Sequence, residues 1–384
     1  MSNYNKELTN IKKSGYYRDR LIIQSPQDSI IEIKKKKYIN FSSNNYLNLS
    51  NNKNIKQAII SRIQKLGVGS GSSPLISGYN EEHHKLEKDL SKLLNFESSL
   101  IMNSGYLANV GLANAVSEKN IVIFQDKLNH NSIIEGTRLS TSKLIRYKHN
   151  SYDDLEKKLS NFKKYKKIIY TDSVFSMTGE IANIPVLSNI AKKHSALLFV
   201  DDAHGFGVLR KHNNIFPSCL NFFHGENLKI DAYIGTFGKA AGTFGSFIAG
   251  SKSLINFLIQ KSKPYIYSTA LPAVLVSATR ESINMIMKEK ILHHTLKENI
   301  SFFKKYAVKN KININESITP IQTITYGCPK KVTDIQNKAF ENGLFIQAIR
   351  YPTVPKNKDL LRINLTSGHS LKQIEKLLNF LRHI

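Results

Sequence analysis

Short apolar runs that end in a polar residue or a glycine recur along the chain: SSLIMNSG, IVIFQD, KKIIYTDSVF, ALLFVDDAHG and AYIGTFGK. Between them lie longer amphipathic stretches such as GYLANVGLANAVSE, DDLEKKLSNF and PVLSNIAKKH. Uninterrupted apolar runs of this length suit strands covered on both faces, and their alternation with helical periods builds βα units on a mostly parallel sheet. The pattern predicts an α/β fold, a large domain with helices flanking the sheet, and functional groups at the carboxyl ends of the strands. After about residue 275 the text changes to long helical periods. A last segment, from ITPIQTITYG through LLRINLT to SLKQIEKLLNFLRHI, reads as a smaller α+β domain. The expected division is an N-terminal segment 1–44, a large domain 45–285 and a small C-terminal domain 286–384.

Composition narrows the function classes. With 384 residues, 41% hydrophobic and 22% charged, the chain can bury a sizeable core. Its N-terminus, MSNYNKELTN, is polar, and no apolar run approaches the ~20 residues of a membrane span, so a cytoplasmic protein with no membrane partner is expected. The net charge of +26 invites a nucleic-acid reading. Its lysines, however, form separate short clusters (IEIKKKKYIN, NFKKYKKIIY, SFFKKYAVKN) and no single stripe, so no nucleic-acid partner is expected. Lysine, asparagine and isoleucine, all abundant here, share A/T-rich codons, and the remaining consequence is a positive field that attracts acidic ligands. Cys219 and Cys328 lie far apart without CxxC spacing, so the reading is two reduced, buried or half-buried thiols and no metal.

Three segments compete as the seat of chemistry. GVGSGSS (Gly67 to Ser73) offers the glycines of a dinucleotide loop, but at GxGxG spacing and with no apolar run leading into it. FGKAAG fails as a nucleotide phosphate loop, because Ala240 stands where Ser or Thr would hold magnesium and Tyr233 where the first glycine belongs. The third candidate gathers several strand ends. FVDDAHG closes a buried run with Asp201, and His204 follows where a tight turn brings both to one ligand. SVFSMTGE places Ser176 after another run. In MNSGYLANVGLANA, Gly105 opens a helix whose first N–H groups and dipole suit a phosphate. DKLNHNSI sets His130 at a helix start, and TFGKAAGTFG supplies Lys239 among glycines.

A lysine, a carboxylate, flat imidazoles and a phosphate cradle together suit pyridoxal 5′-phosphate (PLP). The lysine amine has to be partly neutral to form an imine, which a desolvated strand end favours. The carboxylate holds the pyridine nitrogen protonated, so that the ring accepts carbanion electrons. Taken singly, an Asp or His at a strand end is as often structural; five such features in one order argue for a site.

These residues also resemble a known family. GSGSSPLISGYNEEHHKLEKDL, SVFSMTGE, VDDAHGFGVL, TFGKAAGTFG and IYSTALP are similar to segments of the α-oxoamine synthases, fold type I PLP enzymes that condense an amino acid with an acyl-CoA and lose CO2. The similarity runs from about residue 44 to 366. Within the family, AIRYPTVP (Ala348 to Pro355) resembles the branch that joins L-alanine to a pimeloyl thioester, carried by CoA or by an acyl carrier protein. The resemblance implies that Lys239 carries the cofactor and removes the alanine Cα proton, and that Asp201 pairs with the pyridine nitrogen. His204 and Ser176 would meet the phenolic oxygen, His130 would stack on the ring, and Gly105 with Tyr106 would make backbone contacts. Thr236 would hold the phosphate, with Thr269 reaching it from the partner subunit of a homodimer that shares its active sites. Arg362 would pair with the substrate carboxylate, and Arg18, Asn44, His130 and Thr353 would make further substrate contacts. The chain departs from the family pattern at Asn48 (YLNLS for YLGLS), at Ser72 and Pro74, and at Thr178. Asparagine tolerates a positive φ, so the turn at Asn48 is expected to survive.

Overall fold

The computed structural model describes residues 3–384. They divide into two compact units, one of Asn52–Ser176 with Ile181–Lys290, the other of residues 3–51 with Met177–Glu180 and Ile291–Ile384.

In the second of these units the helix Tyr4–Lys13 precedes a hairpin of β1 (Ile30–Ile33) and β2 (Lys36–Asn40). Two of the four clustered lysines, Lys34 and Lys35, form its turn with φ of 49° and 62°, the left-handed pair that a two-residue hairpin turn demands. Their charges are fully solvated there, which is the ordinary fate of a lysine run.

The first unit is built on strands β3 (Ser98–Met102), β4 (Ile121–Asp126), β5 (Lys143–Tyr147), β6 (Lys166–Asp172), β7 (Ala196–Asp201), β8 (Ala232–Thr236) and β9 (Ser246–Gly250). Among the described residues they form one seven-stranded sheet, ordered β3-β9-β8-β7-β6-β4-β5. The pairs β8/β7, β7/β6, β6/β4 and β4/β5 are parallel, and β9 runs antiparallel between β8 and β3. Every residue of β4, β8 and β9 is buried, as the uninterrupted apolar runs predict for a sheet covered on both faces. Ile123, Ile168, Phe199, Ile234 and Ile248 of the sheet pack with Leu112 and Ile133 of the covering helices. The expected α/β architecture with a mostly parallel sheet is the one observed, and β3, which reads as one more βα strand, joins it through the antiparallel β9.

The chain then returns to the other unit with β10 (Ile321–Thr325), β11 (Leu344–Phe345), β12 (Gln347–Ile349) and β13 (Leu360–Asn364). β11 adds parallel to β2, while β10 and β12 flank β13 antiparallel. Asn48 has φ of 54°, as expected, and its amide Nδ2 donates to Asp28 Oδ1 at 2.9 Å. Of the cysteines, Cys219 is buried, whereas Cys328 is exposed at the start of the helix Pro329–Glu341. That corrects the expectation of a half-buried thiol: Cys328 caps a surface helix and faces solvent. No helix among the described residues is long and apolar enough to cross a membrane.

His369 gives this unit a pH signature. Its Nδ1 accepts from Thr366 N–H at 3.0 Å, its Nε2 lies 3.0 Å from Asn40 O, and its ring stacks on Phe41. Both nitrogens are thus committed to the neutral ring, and burial pushes it down from 6.5 to about 4. With the folded value below the unfolded one, the unfolded chain binds the proton first as pH falls. The contribution, about 3 kcal/mol, is present above pH 6.5 and lost on descent toward pH 4. Melting curves of the protein and of His369→Asn across that window should show a smaller acid loss in the variant.

Candidate active site

The parallel strands β4, β6, β7 and β8 end in Asp126, Asp172, Asp201 and Thr236 on one edge of the sheet. Met102 of β3 and Thr236 both pair with Ser246 of β9, so the turn after β3 opens beside the end of β8. The helix Gly105–Ala115 starts from that turn, capped by Ser104. A Cβ placed on Gly105 would lie 4.0 Å from Thr236 Oγ1. The first helical N–H groups, which have no intrahelical acceptor, thus stand next to a threonine hydroxyl, and together they form a cradle for an anion. Thr236 Oγ1 donates to Gly245 O at 3.0 Å, so holding a phosphate would require its proton to be redirected.

Lys239 follows in a loop tied by Phe237 N–H to Gly245 O, Thr243 N–H to Phe237 O and Gly242 N–H to Lys239 O. The loop needs Gly242 and Gly245, whose φ values are 65° and 104°, and a Cβ on Gly245 would also strike Leu271 Cδ1 at 2.6 Å. At Gly238, by contrast, a Cβ would make only ordinary contacts, 3.9 Å from Thr236 Oγ1 and from Thr243 O. Lys239 is half-buried, and its charge is felt at both His130 and Asp172.

At the back of the site Asp201 is buried, and both its oxygens accept hydrogen bonds: Oδ1 from Ala203 N–H at 2.9 Å, Oδ2 from Asn109 Nδ2 at 2.6 Å. The turn that follows carries the buried His204, with Gly205 N–H donating to Asp202 O. Ser176 is buried beyond the end of β6. Asp172 is the register partner of Asp201 and accepts the His130 backbone N–H at 2.6 Å. Burial, reinforced by the Asp201 charge, pushes the Asp172 carboxyl well above the usual carboxylate range. At the front, His130 caps the helix Asn131–Arg138 with its ring accessible, and Tyr106 is exposed. Thr269 is exposed as well, and its carbonyl accepts from Asn103 Nδ2 at 2.8 Å, just before the anion cradle.

The other unit holds the predicted substrate residues apart from His130. Arg362, buried on β13, donates from Nη2 to Asn44 Oδ1 at 3.1 Å and to Tyr46 Oη at 3.5 Å. Asn44 Oδ1 also accepts from Tyr46 and Asn364, so four side chains share one oxygen-centred cluster. Burial pushes the Tyr46 phenol up to about 12 against the opposing Arg362 charge, which keeps it a donor. Arg18 and Thr353 line one cavity of about 790 Å³ with Tyr17, Ile23, Phe345 and Arg350. Arg350 Nη1 donates to the Gly15 carbonyl and thereby fastens the N-terminal segment to AIRYPTVP.

Sequence reasoning missed four side chains: Asn109, Ser132, Tyr170 and Asp172. Asp172 carried a readable signal, a carboxylate closing the buried run KKIIYTD; the others are polar residues inside helical and strand patterns. The donor set fits PLP: an amine on a restrained loop, a doubly hydrogen-bonded carboxylate at the back, an accessible imidazole, and an anion cradle open for want of a side chain at Gly105.

A strand-end lysine, a buried aspartate and an anion cradle on this sheet define a PLP-dependent transferase of fold type I. The family model "aminotransferase class I and II" matches residues 36–381. The 8-amino-7-oxononanoate synthase of Thermoanaerobacter pseudethanolicus is 40% identical over 375 residues, 97% of this chain and 94% of that protein. That of Saccharophagus degradans is 38% identical over 387 residues, 100% and 96%. Among solved structures, 8-amino-7-oxononanoate synthase from Francisella tularensis is similar with a TM-score of 0.78 at 30% identity, over 90% of this chain and 97% of that one. Serine palmitoyltransferase from S. paucimobilis shares the fold with a TM-score of 0.92 at 23% identity, over 100% and 96%. The chain belongs to the class I and II aminotransferase family, in its group of 8-amino-7-oxononanoate synthases.

Proposed function

We propose that this protein condenses L-alanine with a pimeloyl thioester, on CoA or an acyl carrier protein, to give 8-amino-7-oxononanoate, CO2 and the free thiol, a step of biotin biosynthesis. The observation that carries the reading is the convergence of Lys239, Asp201 and the Gly105–Thr236 cradle at one sheet edge, in a chain 40% identical to such a synthase. PLP, when bound, supplies an electron sink for charge developing at the alanine Cα. Lys239 would hold the cofactor covalently and take the Cα proton, because it is the amine at the strand ends. Asp201 would face the pyridine nitrogen, as a carboxylate that two donors already orient. Thr236 and the first turn of the Gly105 helix would hold the phosphate, while Ser176 and His204 would hold the phenolic oxygen.

Arg362 would bind the alanine carboxylate through its two-pronged guanidinium, with Asn44 and Tyr46 fixing its plane. In balance, Cα loses a proton, a C–C bond forms to the thioester carbonyl and the thiol departs; the carboxylate then leaves as CO2 and Cα is reprotonated. Arg18 and Thr353, lining their shared cavity, would contact the acyl portion.

Purified protein supplied with PLP should release CO2 from carboxyl-labelled L-alanine only when a pimeloyl thioester is present, with the amino ketone detected by mass. Preferential turnover of glycine or serine would overturn the reading in favour of a sibling synthase. Arg362→Lys keeps the charge but loses the fork. It should raise KM for alanine about tenfold or more, with a smaller effect on kcat.

We also propose a homodimer. Ala270 N–H binds Ser72 O, which joins two segments whose Val68, Ile76 and Tyr267 are exposed. A second copy covering them would bury Thr269, where it would serve the partner's phosphate site. Sedimentation equilibrium reads the stoichiometry; a monomer at micromolar concentration would exclude it.

A further inference from the structure

We propose that Asn109 and Ser132 are positioning residues that fix the ring proton of His130 on Nε2 and, through the same amide, orient Asp201. The Asn109 atom that faces the Asp201 carboxylate at 2.6 Å has to be the amide nitrogen, because a carboxylate only accepts. Oδ1 then faces the Tyr170 hydroxyl, which donates to it at 2.6 Å. Burial, together with the Asp201 charge, pushes the Tyr170 phenol well up, so it remains a donor. The second amide hydrogen of Asn109 goes to Ser132 Oγ at 2.7 Å. Ser132 therefore receives on its oxygen and has one proton to give, and its remaining partner is His130 Nδ1, also at 2.7 Å. The Ser132 backbone N–H points to the same nitrogen at 3.3 Å. With two donors facing it, Nδ1 is an acceptor and the ring N–H is Nε2.

The packing that allows this is equally specific. A Cβ on Gly136 would lie 3.0 Å from both Asn109 O and Val110 Cα, so the two helices approach closely one turn after Ser132. Asn109 and Ser132 are both buried, so no water competes for these bonds. Burial, with the nearby Lys239 charge, lowers the basicity of His130 against the opposing pull of Asp201, in agreement with a neutral ring.

On the proposed function, the consequence is chemical. A neutral imidazole with Nε2–H at the front of the site donates a hydrogen bond. It would polarise the carbonyl oxygen of the bound acyl group; removal of the Cα proton would remain with Lys239. Any such use of His130 rests on the function proposed above, whereas the proton placement does not.

The test is ¹⁵N–¹H correlation of the ring nitrogens in the PLP-loaded protein labelled at histidine, with His130 assigned from its absence in His130→Asn. A pyridine-like Nδ1 and a pyrrole-like Nε2 are expected at neutral pH. Ser132→Ala should draw the two shifts together as the Nδ1–H form gains population, and Ser132→Thr should restore them. Asn109→Ala should do the same and also weaken PLP retention about tenfold, through lost orientation of Asp201. An Nδ1–H or doubly protonated ring in the unmodified protein, or unchanged shifts in a folded Ser132→Ala, would overturn the proposal. If a variant fails to fold, the unmodified protein's own tautomer still decides. Turnover of glycine in place of alanine would overturn the proposed reaction and leave the proton placement standing.

Discussion

Replacing Lys239 with alanine is expected to lower kcat for alanine and pimeloyl thioester by at least ~10³-fold, since one side chain serves both as covalent tether and as base. The visible band of lysine-bound PLP should vanish, and the cofactor should become removable by gel filtration. Melting temperature should change little, because Lys239 is half-buried on a loop that its glycines and main-chain hydrogen bonds shape. Lys239→Arg should not rescue: it keeps a cation but has no nucleophilic amine near neutral pH. Retained turnover in either variant would show that another amine carries the chemistry and would remove Lys239 from its assigned role.

The second large effect is on stability. Gly205 lies in the turn after β7, where an added Cβ would sit 2.0 Å from Asp202 Oδ1 and 3.0 Å from Leu209 Cδ1. Asp202 has nowhere to go. It is fully buried, with Oδ1 accepting from Ser173 Oγ and Oδ2 from the Tyr233 hydroxyl at 2.6 Å and from Cys219 N–H at 2.9 Å. Gly205→Ala must break one of these bonds or displace the turn that carries His204. A loss of about 3 kcal/mol or more is expected, combining overpacking with a disturbed buried carboxylate. Denaturant unfolding measures it, and Gly225→Ala is a useful contrast: Gly225 has a positive φ of 95°, which Gly205 does not, but nothing lies within 4 Å of its Cβ. It should cost only the backbone strain, about 1 kcal/mol.

The strand ends were legible in sequence because uninterrupted apolar runs announce buried strands and the residue closing each run announces its carboxyl end. Asp201 and, through the glycines around it, Lys239 were picked out in that way, whereas the role of Thr236 came from the family resemblance. Asn48 was read from its backbone tolerance alone. Asn109 was not legible, since it is one of two asparagines in GYLANVGLANA with nothing to set it apart from a solvent-facing position, and its partner Asp201 is 92 residues away. Ser132 and Tyr170 were hidden for the same reason: hydrogen bonds between helix and sheet leave no periodicity. The grouping of residues 3–51 with the C-terminal part was likewise invisible, because a two-residue strand such as β11 carries no pattern of its own.

That grouping bears on how the chain is made. Synthesis delivers β2 early, but its parallel neighbour β11 comes late; the hydrogen bond from Ser42 Oγ to Phe345 O spans 303 residues. Throughout most of translation the β1–β2 hairpin is a two-stranded ribbon with one edge bare, marginal by itself and a template for pairing with other chains. Lys36 and Lys37 lie on the strand that owns that edge, next to the lysines of the turn. The four-lysine run, one of the short clusters that as a sequence argued against a single basic stripe, is well placed as a gatekeeper that keeps nascent hairpins apart until β11 arrives.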